Sequence, residues 1–300
     1  MDRFFCMQVF VAVGEGQGFG TAARRLGLSP PAVTRAISAL EHDLGVKLLQ
    51  RTTRIVRLTE AGARYLLDCK RLLAEVADAE QALRGAESEP RGQLAVTASV
   101  MFGRMFVAPI LLDFLDRHRQ VSGRALLADR VLDLIEEGLD VAVRIARLSD
   151  SSFTAIRVGS VRQVVVASPA YLKRHGVPRA PRDLAECTAV SFVEDRIGPA
   201  WSFGAGKRTL SVRPNSRLIV NSSEVGIQAA IDGVGITRAL SYMVASAVKA
   251  GRLRIILSEF EPEPIPIHVL HREGRHAAAR VRAFVDFAVA ELRGNALLKS

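Results

Sequence analysis

The sequence predicts two folded parts of different class: an all-helical module with a short two-stranded wing and a long trailing helix, then a larger α/β domain. Three patterns predict this. A short helix, a glycine turn and a second helix fill residues 19–38. Apolar or small residues then recur at alternating spacings of four and three from Leu58 to Leu83. Beyond residue 91, short apolar runs alternate with helical segments.

The module begins with Phe4, Met7, Val9, Phe10, Val11 and Val13, close to helical spacing and so expected to form a first core helix. The glycines of 14–18 break it. Phe19 to Leu26 is the next helix, where Ala22 and Ala23 are small enough for another helix to cross closely. Gly27 supplies the turn, since a positive φ is cheap only for glycine. Ser29 is placed to cap the following helix, and Pro30 and Pro31 fall in its first turn, where a missing N–H does no harm.

In that third helix Val33, Ile37, Leu40 and Leu44 form one buried stripe. Pro31, Thr34, Arg35 and Ser38 share another face, short and polar enough to approach base edges in a major groove. Residues 48–54 and 55–58 read as the wing, with Arg51, Thr53 and Arg54 toward its tip. A helix pair of this kind can also be a mere packing unit, so the basic wing beside it matters.

Charge supports the reading locally only. The chain carries a net +10, but residues 1–90 hold only +1 of it and residues 91–300 hold +9. Within 20–57, however, seven Lys/Arg face only Glu41 and Asp43. That local excess is what a phosphate backbone requires.

From Thr59 to Glu87 there is no proline, and the only glycines are Gly62 and, at the end, Gly85. Leu58, Gly62, Tyr65, Cys69, Leu72, Val76, Ala79 and Leu83 form a heptad seam, expected to pair two chains in a coiled coil. Leu66, Leu67 and Leu73 lie off the seam and keep open an amphipathic helix packed on its own domain. Pro90 and Gly92 place a boundary after it.

In the α/β part, strands are expected at 94–97, 125–127, 140–144, 164–167 and 218–220. Helices are expected at 102–118, at 131–137, after Pro169 and after Glu224, covering parallel sheets on both faces. Ser99 follows the first strand, and Asn221-Ser222-Ser223-Glu224 follows a later one with capping-box spacing. Helix N-termini hold anions, so two of them facing one cleft would suit a carboxylate-bearing small molecule. The plainer alternative is that both are ordinary caps.

These residues carry a resemblance to the LysR-type transcriptional regulators. It rests on Phe19 through Ser29, Ala32 through Ile37, Leu40-Glu41, Leu44-Gly45, Leu48, Arg51 through Arg54 and Leu58 through Gly62. Beyond the boundary it rests on Gly138 through Arg144, Ala167 through Leu172 and Gly233 through Ile236. The departures are Gly20 and Thr21, Pro30 in place of a polar residue, and Ser241 where many members have proline.

The resemblance implies a winged helix-turn-helix over 1–60, a linker and dimerisation helix over 61–90, and an effector-binding domain over 91–300. That last domain would have the type 2 periplasmic-binding-protein fold, with subdomain I at 91–162 and 266–300 and subdomain II at 163–265. Carried over by position, Ser99, Val100, Asn221, Ser222 and Thr237 line its cleft, with Arg144 at a strand end. The implied partners are double-stranded DNA, bound by Ser29, Pro31, Thr34, Arg35, Ser38, Arg51, Thr53 and Arg54, and a small-molecule effector, which the two helix N-termini suggest is anionic. A homodimer through the linker helix, pairing into tetramers, and a contact with RNA polymerase are also implied.

Other classes fit less well. His268 and His271, with His276 nearby, hint at a metal, but they stand three apart in a strand pattern and so point to opposite faces. No nucleophile elbow, phosphate-binding loop or dinucleotide fingerprint occurs, so no catalytic residue, metal or cofactor is expected. A solute-binding receptor would need an export signal, and Gln8 and Glu15 interrupt the only N-terminal apolar run. Three scattered cysteines make neither a disulfide framework nor a zinc spacing. A soluble cytoplasmic protein is expected.

Overall fold

The computed structural model describes residues 1–16, 18–51, 56–83, 89–148, 153–192, 200–204, 209–272 and 277–299. It divides into two units, Met1–Glu89 and Pro90–Ser300.

The first unit contains α1 (Arg3–Gly16), α2 (Phe19–Leu26), α3 (Pro30–Leu44), strands β1 (Leu49–Arg51) and β2 (Val56–Leu58), and α4 (Glu60–Leu83). Val9, Phe10 and Val13 of α1 meet Ala22 and Ala23 of α2 and Val33, Ile37 and Leu40 of α3 in one core. The small alanines let these helices approach, as the spacing predicts. Phe4 is the exception to the expected stripe: it stands 48% exposed. Gly27 has φ +64° and its N–H returns to the end of α2, so the turn needs the conformation only glycine adopts cheaply. Ser29 Oγ accepts from Ala32 N–H and caps α3, with both prolines in the first turn. β1 and β2 pair antiparallel as the wing.

The heptad reading of α4 is corrected over its first half. Gly62 is buried against the Leu48 carbonyl, Cys69 is fully buried, and Tyr65 and Leu72 pack on the same core as α1. These seam positions face their own unit, because α4 leaves the wing directly beneath the core and has to cover it. Burial holds the Cys69 thiol up at about 11, so it is an inert core group. Leu67 and Val76 remain exposed at 68% and 38%.

The second unit is two five-stranded sheets of matching topology. The first has the order β4 (Val121–Leu127), β3 (Gly92–Ala98), β5 (Val141–Ile145), β14 (Ile265–His271), β6 (Thr154–Val161). The second has the order β11 (Asn215–Val220), β8 (Thr188–Phe192), β12 (Ile236–Leu240), β7 (Gln163–Ala167), β13 (Arg254–Ile256). A two-stranded ribbon pairs β9 (Trp201–Phe203) with β10 (Leu210–Val212).

The sheets are mixed rather than parallel throughout. In each, one strand runs against its neighbours, β14 in the first and β7 in the second. Each reversed strand is the one that has just crossed from the other sheet: β7 follows β6 through Arg162, and β14 follows β13. A strand arriving by a short connection from the opposite sheet cannot make the helical return that parallel pairing requires.

A helical stretch follows β3: α5 (Val100–Phe102), a π-helical segment (Gly103–Val107) and α6 (Ala108–Arg117). The π segment precedes Pro109, which has no N–H to give the preceding turn, and Ala108 N–H bonds back to Gly103 instead. The other helices are α7 (Pro169–His175), α8 (Ser223–Ile231), α9 (Ser241–Lys249) and α10 (Ala279–Gly294).

The helix expected at 131–137 does not form. Asp133 Oδ1 accepts from Ile135 and Glu136 N–H, which folds the segment into a turn ending at Gly138 with φ +60°. Tyr242 of α9 is buried in the core of the first sheet, edge-on to Phe102 and Phe106 at 5.4 and 5.5 Å.

Candidate functional site

The first unit presents α3 with one face buried and one open. Val33, Ala36 and Ile37 have no exposure, whereas Pro31, Arg35 and Ser38 are exposed and Thr34 is half-buried. Thr34 Oγ1 donates to the Pro30 carbonyl at 3.1 Å, which leaves its oxygen to accept from a ligand. Ser29 stands at the N-terminus of the same helix, as its cap.

Among the described residues, two of the basic residues between 20 and 57, Arg25 and Lys47, are engaged internally. Glu15 takes Arg25 at 2.6 Å and Lys70 of α4 at 2.8 Å, tying α1 to α2 and α4. The Lys70 bond foremost, with Arg25, holds the Glu15 carboxyl below its usual range despite burial. Lys47 pairs with Glu41 at 2.7 Å. Arg24, Arg35 and Arg57 are exposed and make no ion pair among the described residues. Arg51 stands in β1 opposite Val56, while Thr53 and Arg54 lie outside the described residues. Arg24 and Arg57 were absent from the expected contact set; both are legible only as basic residues until burial is known.

The second unit holds a cavity of about 360 Å3 between its two sheets. One wall comes from the carboxyl ends of β3 and β5, with Thr97, Ser99, Val143, Arg144 and Ile145, and from the turn at 128–132. The facing wall comes from β12, the start of α8, Gln163, Phe192 and Met243. The position follows from topology, since strand ends and the crossovers converge there.

Two family models match the chain. One is described as "Bacterial regulatory helix-turn-helix protein, lysR family" and covers residues 6–63; the other, "LysR substrate binding domain", covers residues 87–293. The chain belongs to the LysR family. Among its LysR relatives is an HTH-type transcriptional repressor of Pseudomonas aeruginosa (strain UCBPP-PA14), 33% identical over 96% of this chain and 92% of that protein. Another is the HTH-type transcriptional activator AaeR of Escherichia coli K12, 31% identical over 95% and 93%. Among solved structures, CrgA, a LysR-type transcriptional regulator from Neisseria meningitidis, matches with a TM-score of 0.62 at 30% identity, over 97% of this chain and 99% of that one. The chain is therefore a DNA-binding transcriptional regulator with a small-molecule-binding domain.

Within this LysR chain the cavity gathers three of the six expected effector residues, Ser99, Arg144 and Thr237. Val100, Asn221 and Ser222 are not among its walls. Val100 N–H, the first beyond Ser99, donates to Asp129 Oδ1 at 3.0 Å. Ser222 caps α8 by accepting from Val225 N–H, and Asn221 is exposed. The capping box fails because the cap is Ser222, one residue later than the spacing needs, and Glu224 pairs with Arg104 instead. Thr237 Oγ1 donates to the Val190 carbonyl at 2.8 Å, holding β12 to β8 at the cavity wall. Arg144 donates to the Leu132 carbonyl.

Ser241, the departure from the usual proline, stitches the crossover. Its N–H donates to the Arg162 carbonyl at 2.8 Å and its Oγ accepts from Arg162 N–H at 3.2 Å. A proline could make neither bond.

The sequence reading missed Arg238, one of the β12 residues that line the cavity. The signal was a charged residue inside the otherwise apolar strand Ile236-Thr237-Arg238-Ala239-Leu240.

Proposed function

We propose that α3 enters the DNA major groove, with Pro31, Thr34, Arg35 and Ser38 toward base edges. Ser29, Arg51, Thr53 and Arg54 then hold the phosphate backbone. What carries this reading is the clean division of α3, whose polar face is open while its apolar face is the unit's core. Pro30 removes a side chain that could contact a base, so the operator differs from those of relatives with a polar residue there.

The protein works as a cytoplasmic homodimer through α4, using positions the core leaves open, such as Leu67 on the outer side of its first half and Val76 beyond it. Two-fold symmetry matches two recognition helices to a near-palindromic site. Dimers pair into tetramers, which light scattering on the full chain tests directly. Residues 91–300 form the sensor, and a small anionic effector in the cavity between its sheets shifts the regulator between DNA-bound states, binding one state better than the other.

Mobility-shift assays on the intergenic DNA beside the gene and on random DNA test the reading head. Arg35→Ala is expected to weaken binding to the specific site by about 1–3 kcal/mol and to affect random DNA little. Arg54→Ala is expected to weaken both alike and to lower the salt slope by about one. Equal losses on both DNAs for both variants would sink the division of roles.

A further inference from the structure

One of the cavity's lining residues is a cation that no acidic side chain balances among the described residues. Of the arginines lining it, Arg130 pairs with Glu137 at 3.2 Å and Arg144 donates to the Leu132 carbonyl. Arg238 makes no ion pair among the described residues. Its Nη1 is buried without a hydrogen-bond partner, and its guanidinium carbon lies 5.6 Å from the centroid of the Trp201 ring. The ring face steadies the cation but accepts none of its five donors in the plane. Burial brings its pKa down to about 10, so it stays charged at neutral pH. An unpaired buried charge costs stability, and a fold that keeps one in a ligand cavity gains from it only when an acceptor arrives.

The helix ends beside the cavity offer less. The first N–H beyond Ser99 already donates to the Asp129 carboxylate, and the first turn of α8 carries Glu224. Both place negative charge where an anion would have to sit.

We propose that Arg238 of β12 is the anion-recognition group of the cavity and that the effector is a small monocarboxylate with an apolar body, held by the guanidinium fork. This rests on the reading of the cavity as the effector site. Arg238 stands in the cavity wall, and a guanidinium fork matches a carboxylate in two parallel bonds. Val143, Ile145, Phe192, Ile227 and Met243 line the same cavity and suit an apolar body. Asp129, beside Ser99, disfavours a second anionic group there.

Trp201 is the only tryptophan in the chain, so its fluorescence reports locally on Arg238. The full-length protein is titrated with hexanoate, cyclohexanecarboxylate and 3-phenylpropanoate, each against its primary amide, with Trp201 emission and thermal midpoint as readouts. At least one acid is expected to act saturably while its amide does not. Arg238→Gln weakens that binding roughly tenfold or more, Arg238→Lys weakens it less, and Ser99→Ala weakens it less than Arg238→Gln.

Amides that bind as well as acids, or acids that bind Arg238→Gln as they bind the wild type, overturn the proposal and leave the cavity a small-molecule site. Silence from every acid and amide overturns the effector reading itself. A measurement without ligand checks the unbalanced charge: Arg238→Met is expected to raise the thermal midpoint of the free chain, and an unchanged or lower midpoint overturns the claim.

Discussion

Gly62→Ala is expected to unfold the DNA-binding unit at physiological temperature. A Cβ at Gly62 would lie 1.9 Å from the Leu48 carbonyl oxygen and 2.8 Å from its carbon. The obstacle is backbone, so no rotamer change relieves it. The wing's first strand and the start of α4 would have to separate.

Thr59 binds the same place from the other side, its N–H to Leu48 O at 2.9 Å and its Oγ1 to Lys47 O at 2.8 Å, while Gly62 N–H donates to Thr59 Oγ1 at 2.9 Å. Separation breaks this set as well. The cost is about 3 kcal/mol or more, a shift on the order of 10 °C or more for a unit of this size. Thermal unfolding followed by circular dichroism, with a DNA-binding assay, measures it. A midpoint within about 2 °C of wild type would show that the wing gives way freely.

The second large effect is at Glu41, a carboxylate only 4% exposed inside the reading head. Its Oε1 accepts from Leu48 N–H at 2.9 Å and Leu49 N–H at 3.1 Å, and Oε2 takes the Lys47 ammonium at 2.7 Å. Glu41→Ala leaves two buried backbone donors unmatched at the root of the wing and is expected to cost about 2–4 kcal/mol. Glu41→Gln keeps one acceptor but turns an amide toward Lys47, so its loss is intermediate.

Burial alone would raise the Glu41 pKa, but the Lys47 bond and the two backbone N–H bonds together outweigh it and hold the carboxyl below its usual 4.5. A carboxyl depressed by folding contributes stability that is present above its unfolded pKa, near ~4.3, and is lost as pH falls through the folded value. Acid unfolding of the wild type should therefore begin below about pH 4.3 and steepen downward. Glu41→Ala should flatten that slope without abolishing it, because Glu15 is depressed by its own partners in the same window. An unchanged slope in the variant would exclude Glu41 as a source of the acid sensitivity.

The reading head was legible because its signals are local. Ser29 caps, Gly27 turns with positive φ, and Val33, Ile37 and Leu40 repeat at helical spacing, all set within a few residues of one another. The seam of α4 was misread over its first half for a related reason. Heptad spacing states that one side of a helix is apolar, not whose core it faces, and Gly62, Tyr65 and Cys69 face their own. The turn at 131–137 looked helical by composition, but Asp133 bonding to Ile135 and Glu136 N–H drew the backbone aside.

By itself the sequence determined the helix-turn-helix, the apolar stripe of α3 and the alternation of strands and helices behind it, because capping, turn chemistry and periodicity act between near neighbours. Only the tertiary structure decided which groups meet. It set Gly62 against Leu48, closed Glu41 around the wing's N–H groups and gave Val100 N–H to Asp129. It also left Arg238 beside Trp201 without a counter-charge among the described residues. Those pairings span from seven residues to several dozen along the chain, and charge balance at a buried group is a property of everything that packs around it, which no local pattern records.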